Sequence, residues 1–144
     1  MSSVTPTGAR TDRVVIPAGT EGGVARYRSV PARITGDLMF ISGQIGSIGS
    51  DGELVADAAE QARNAIAGLG DVLAEAGCTF ADVVELTTYH TGGWQAAEDT
   101  FVPAKADVFP EPYPAWTAVG VTDLAYGAVI EIAAVARIPQ KDCS

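Results

Sequence analysis

A single carboxylate, Glu131, stands inside the apolar run Val129-Ile-Glu-Ile-Ala-Ala-Val-Ala136. Such a charge occupies either an exposed position of a half-wet sheet or a pocket in which a function offsets its desolvation. In a pocket, Glu131 could position water or pass a proton. His90, the one histidine, ends the run Val83-Val-Glu-Leu-Thr-Thr-Tyr-His90. An imidazole there is either a packed or exposed strand residue or a charged partner for a ligand. Ser42 and Gly43 close the run Leu38-Met-Phe-Ile-Ser-Gly-Gln44. Gly43 marks a bulge, a close approach to the backbone or a plain strand end. A nucleophilic Ser42 has neither a second histidine nor a GxSxG pattern to support it.

Other chemistries are disfavoured by composition and spacing. Cys78 and Cys143 lack metal-ligand spacing and His90 is the sole imidazole, so no metal is expected. A structural disulfide is not expected either, and a cytoplasmic location follows as the default. The loop Ala18-Gly-Thr-Glu-Gly-Gly-Val24 matches neither phosphate-binding glycine pattern and reads as a connector. Eighteen acidic residues against nine basic ones give a formal charge of −9. That field repels phosphate backbones and anionic membranes, so neither nucleic acid nor membrane is an expected partner. No apolar run approaches the roughly 20 residues of a membrane span, and Met1 to Arg13 lacks a secretory core.

The elements that position these residues follow from period and punctuation. With 47% hydrophobic and 19% charged residues in 144, the chain reads as one domain, with residues 1–12 and 139–144 as flexible tails. Arg13 to Pro17 is a short strand candidate. Tyr27 to Ile34 and Leu38 to Gln44 form a hairpin around Thr35-Gly36-Asp37. Ala62, Ile66, Leu69, Leu73 and Ala76 recur at helical steps from Asp57, with Glu60 completing a capping-box pattern and Gly77 as the stop. Gly68 and Gly70 inside that helix imply close packing against it. A strand over Val83–His90 precedes a second helix carrying Trp94, Ala97, Phe101, Ala104 and Val108, made irregular by Pro103. Strands at Ala115–Val121 and Val129–Ile138 finish the order. Hairpins require antiparallel pairing and the strand-helix-strand crossover parallel pairing, so a mixed sheet is expected. Two helices cover only one of its faces. Apolar residues on both alternations of Val129–Val135 favour burial of the other face against copies of the chain.

Six segments in order, Gly36-Asp-Leu-Met-Phe-Ile-Ser-Gly-Gln-Ile45, Gln61-Ala-Arg-Asn-Ala-Ile66, Leu73-Ala-Glu-Ala-Gly77, Asp82-Val-Val-Glu-Leu-Thr-Thr88, Phe109-Pro-Glu-Pro-Tyr-Pro-Ala115 and Ile130-Glu-Ile-Ala-Ala-Val-Ala136, resemble the Rid (YjgF) family. The likeness runs from about Ser29 to Ile138. It implies an α+β, chorismate-mutase-like domain, a mixed six-stranded sheet with two helices on one face. It also implies a homotrimer around a central barrel, with a small pocket at each subunit interface. Active members hydrolyse 2-aminoacrylate-type enamines or imines to a keto acid and ammonia without cofactor or metal.

The same resemblance assigns Glu131 to water positioning and Ser42 and Gly43 to the pocket. The family's carboxylate-binding Arg matches Trp116, whose indole has one donor and no charge. The family's pocket Asn falls at Val102 and its pocket Tyr at Ser29, with Tyr27 nearby. The expected substrate is therefore larger and less anionic than 2-iminopropionate, or its charge is met by another cation such as protonated His90 or Arg33. The leading reading is a cofactor-free hydrolase using Glu131, with Ser42, Gly43, Trp116, His90 and Tyr27 around the substrate. The alternative is a trimer that binds a small metabolite or a partner without catalysis, and a ribonuclease is a distant third.

Overall fold

The computed structural model describes residues 2–7 and 10–139. Its frame is a mixed seven-stranded sheet in the order β1-β2-β3-β4-β7-β5-β6. The strands are β1 (Ser2–Thr7), β2 (Arg10–Val15), β3 (Ala32–Thr35), β4 (Leu38–Ile45), β5 (Val83–His90), β6 (Ala115–Gly120) and β7 (Ile130–Arg137). Six of these are the strands expected from sequence. The seventh, β1, pairs antiparallel with β2 in the stretch expected as a tail. The second expected tail lies largely outside the described residues, together with Cys143.

The pairing follows the connections. β3 and β4 form the expected antiparallel hairpin, and Gly36 takes the positive φ of 61° that the tight turn requires. β5 and β6 run parallel because a helical crossover joins them, whereas β7 is antiparallel to both β4 and β5.

The first long helix, α2 (Ala58–Glu75), starts where Asp57 accepts a hydrogen bond from the Glu60 N–H at 3.0 Å. Its stripe Ala62, Ala65, Ile66, Leu69 and Leu73 is buried on the sheet. Burying Leu69 and Leu73 contributes about 1.5–3 kcal/mol apiece. The two glycines face close neighbours as expected. A Cβ on Gly68 would lie 3.1 Å from Gln44 Oε1, and one on Gly70 would lie 3.0 Å from Phe80 Cζ.

The crossover is not one regular helix. α3 (Gly93–Ala96) passes through a π-helical turn, Ala97–Phe101, into α4 (Val102–Ala106). Pro103 lacks an N–H and its ring crowds the carbonyl a turn before, so a widened turn just ahead of it relieves the clash.

Two expectations near the N-terminus are corrected. The glycine-rich stretch is not merely a connector, because it carries a short helix, α1 (Glu21–Tyr27). Gly22 and Gly23 concealed it, since both are poor helix formers. Local bonds hold it: Thr20 Oγ1 donates to the Pro17 carbonyl at 2.7 Å and Gly19 N–H to Glu21 Oε1 at 2.8 Å. The first hairpin strand therefore begins at Ala32, not at Tyr27.

The core lies between the sheet and the α2 and α3–α4 layer, with Ile34, Met39, Leu86, Ile130 and Ile132 fully buried. Among the described residues, no helix covers the sheet's other face. Phe40 is 48% exposed there, opposite Val135 on the neighbouring strand.

Candidate functional site

Glu131 and Gly43 meet at an irregularity in the sheet. Ile41 pairs with Ala134 and Gln44 with Ile132, so Ser42 and Gly43 together span the single residue Ala133. This bulge turns the bare Cα of Gly43 toward β7. A Cβ added to Gly43 would lie 2.5 Å from Glu131 Oε2 and 2.6 Å from its Cδ. The carboxylate thus occupies the volume that any other residue would fill. Of the three readings of Gly43, bulge and close approach hold at once, and the plain strand end does not. Glu131 is half-buried on the open sheet face, in register with Tyr89 of β5 and Ile45 of β4.

Ser42 and Tyr27 come to the same place from different elements. Both line an open groove of about 990 Å³ with Ser29, Gly43, Asp71 and Glu75, between α1, β4 and α2. The Ser42 hydroxyl donates to the Val30 carbonyl at 2.7 Å, and its N–H donates to the Pro31 carbonyl at 2.9 Å. Ser42 therefore fixes the loop before β3. Tyr27 shares a hydroxyl-to-hydroxyl hydrogen bond with Tyr126, which ties α1 to the turn before β7. That turn is also held from the core. Gln61, 2% exposed, accepts from the Val129 N–H at 2.9 Å and donates to the Val55 carbonyl at 2.8 Å.

Trp116 and His90 lie on the opposite face of the sheet. Trp116 is in register with Leu86, which is fully buried under the helices. Its indole N–H donates to Thr88 Oγ1 at 2.8 Å, and Thr88 Oγ1 lies 2.7 Å from His90 Nε2. The one hydroxyl hydrogen of Thr88 can then go to Nε2, which suits a neutral imidazole protonated on Nδ1. Burial holds the His90 pKa below its ordinary value. At 1% exposure under Phe101, His90 is a core residue and not a ligand-facing cation. Trp116 stacks near Phe101 and Trp94, and Lys105 Nζ sits 4.6 Å from its ring centroid.

The structure therefore brings Ser42, Gly43, Glu131 and Tyr27 into one neighbourhood and puts Trp116 in another. Arg33 lies on the Glu131 side, in a depression of about 320 Å³ that also holds Glu85. Sequence reasoning passed over Thr88, Gln61 and the Lys105–Trp116 pair. The two-residue step from Thr88 to His90 was the available signal, since it places both on one sheet face. The described residues contain no group of three or more His, Cys, Asp or Glu able to hold a metal, and no helix long and apolar enough to cross a membrane. Cys78 is buried, which pushes its thiol pKa up, with Asp82 adding to the effect.

Fold and site together define a small α+β sheet protein that seats a carboxylate on a strand-bulge glycine, on a sheet face its own helices leave open. The endoribonuclease L-PSP family model matches residues 21–138. The chain belongs to that family, which is the Rid (YjgF) family of the sequence resemblance. It is 44% identical over 128 residues to the RutC family protein YjgH of Escherichia coli strain K12, covering 88% of this chain and 95% of that one. It is 33% identical over 127 residues to the human 2-iminobutanoate/2-iminopropanoate deaminase, covering 86% and 88%. The solved structure of Protein YJGH superposes with a TM-score of 0.77 at 42% identity, covering 89% of this chain and 97% of that one.

Proposed function

We propose that this protein is a cofactor-free hydrolase that deaminates a small enamine or imine, with Glu131 positioning the attacking water. The observation that carries the reading is the Glu131 carboxylate resting on Gly43. The carboxylate is held against the bare backbone of Gly43, and Gly43 itself lines the groove between α1, β4 and α2, so this candidate acid and base of the open face stands next to that groove. In the reaction, water adds to the carbon of the C=N bond and Glu131 accepts its proton. The carboxyl returns that proton to nitrogen, then relays the adduct's hydroxyl proton to nitrogen as the C–N bond breaks, so that ammonia leaves, a carbonyl product remains and Glu131 is again a carboxylate. The naming of the human relative as an imine deaminase supports the reaction class.

The pocket is proposed to be completed between copies of the chain in a homotrimer. Glu131 and Trp116 share no face within one protomer, so one copy would supply the Glu131–Gly43 side and its neighbour the Trp116 side. Trp116 stands where the resemblance puts the carboxylate-binding Arg, so 2-iminopropionate is expected to be a poor substrate. Ammonia release from enzymatically generated imines, with wild type and Glu131→Gln compared, is the test. Loss of release in Glu131→Gln upholds the reading, and unchanged turnover sinks it.

A second reading, a trimer that binds a metabolite without turning it over, draws on one observation. The hydroxyls of Ser42 and Tyr27 are both engaged within the protomer, which leaves few polar groups for chemistry. Ligand binding with no turnover of any imine would favour it. RNA cleavage, which the family model's name suggests, is opposed by the charge of −9 and by the burial of the single histidine.

A further inference from the structure

We infer that Lys105 and the groove beside it bind a planar, conjugated carboxylate. The groove, about 260 Å³, is lined by Val102, Lys105, Ala106, Phe109 and Tyr113. That volume suits a single ring or a short conjugated chain and falls below the span of drug-sized sites. Its walls are apolar and aromatic, with Phe109 buried as the floor and Tyr113, 66% exposed, as an outer wall. Lys105 is the one charged group in the lining. The indole face of Trp116 holds its ammonium in place at 4.6 Å.

Among the described residues, no carboxylate pairs with that ammonium. The contrast with Arg33 decides between the two cations. Arg33 shares its depression with the Glu85 carboxylate, which weakens any anion site there, whereas the Lys105 groove contains no acid. An ammonium held beside an apolar groove with two aromatic walls selects an anion whose body can pack against aromatic rings. An acetate-sized anion would leave the slot unfilled, and a neutral ring would leave the charge unused.

As a substrate class this rests on the proposed deamination, which would then act on an enamine acid whose double bonds extend beyond the imine. The binding itself does not depend on turnover. Benzoate, benzamide and acetate serve as probes, titrated by calorimetry into wild type, Lys105→Met and Arg33→Met, with circular dichroism confirming each fold. Benzoate should bind about tenfold or more tightly than either other probe, the worth of one charge-assisted hydrogen bond. Lys105→Met should bring benzoate down to the benzamide level, and Arg33→Met should leave benzoate binding intact. Equal binding of benzoate and benzamide, or an unaffected Lys105→Met, overturns the inference. Benzoate selectivity without any imine turnover would refute the deaminase and leave the groove standing. Turnover without selectivity would do the reverse.

Discussion

A methyl group at position 43 would share space with the Glu131 carboxylate, 2.5 Å from Oε2. Gly43→Ala should therefore swing that carboxylate away and lower kcat/KM about as far as Glu131→Gln does, on the order of 100-fold for a lost proton-transfer group. Comparing kcat/KM of the two variants on the same imine checks this. His90 makes a different prediction. Burial lowers its folded pKa, so the unfolded chain binds a proton more readily. The stability from keeping it neutral is fully present above the unfolded value of about 6.5 and is lost as pH falls through the lowered folded value. Urea midpoints should drop faster between about pH 7.5 and pH 5 in wild type than in His90→Gln. At this scale the sequence was a good guide to Gly43 and Glu131, because a glycine in a strand and a charge in an apolar run each violate a local rule. It was a poor guide to Trp116 and His90. Which face a side chain takes depends on register with the partner strand, and the one-dimensional pattern does not contain it.

At the scale of elements, Gln61 links three parts: α2, the loop at Val55 and the entry to β7 at Val129. Gln61→Leu leaves the half-buried Val129 N–H and Val55 carbonyl without their partner and should cost about 1–3 kcal/mol, read as a lower thermal midpoint. Imine turnover should fall with it even below that midpoint, since Val129 sets the start of the strand that carries Glu131. Gly46 offers a second check. A Cβ there would lie 2.4 Å from the Gln61 carbonyl oxygen and 2.7 Å from Ala65 N, both backbone atoms that cannot rotate away. Gly46→Ala should thus push β4 off α2 and lower the thermal midpoint more than Gly52→Ala does at an open turn. α2 could be drawn from its period alone because its apolar stripe is long and its ends are marked by Asp57 and Gly77. α1 could not, because it buries no residue and so leaves no stripe. The π-helical turn was foreshadowed only as irregularity around Pro103, since period alone does not distinguish a widened turn from a kink.

For the whole molecule, the open sheet face and the division of the site lead to one expectation. Phe40→Asp, placed on the uncovered face, should lower the assembly state seen by light scattering and abolish turnover while the protomer keeps its circular dichroism. Mixing adds a direct test of the shared pocket. Glu131→Gln and Trp116→Ala, each inactive alone, should regain measurable activity when unfolded and refolded together, because some junctions then pair an intact Glu131 with an intact Trp116. Neither variant should recover when refolded by itself. The placement of Glu131 and Trp116 on opposite sides of one sheet also bears on inheritance. In a closed ring each chain would serve the pocket on its left with one face and the pocket on its right with the other. A gene copy damaged on both faces would then silence both neighbouring pockets. Co-expressed with an intact copy, it should depress activity by more than its share of the chains, as a dominant allele rather than a recessive one.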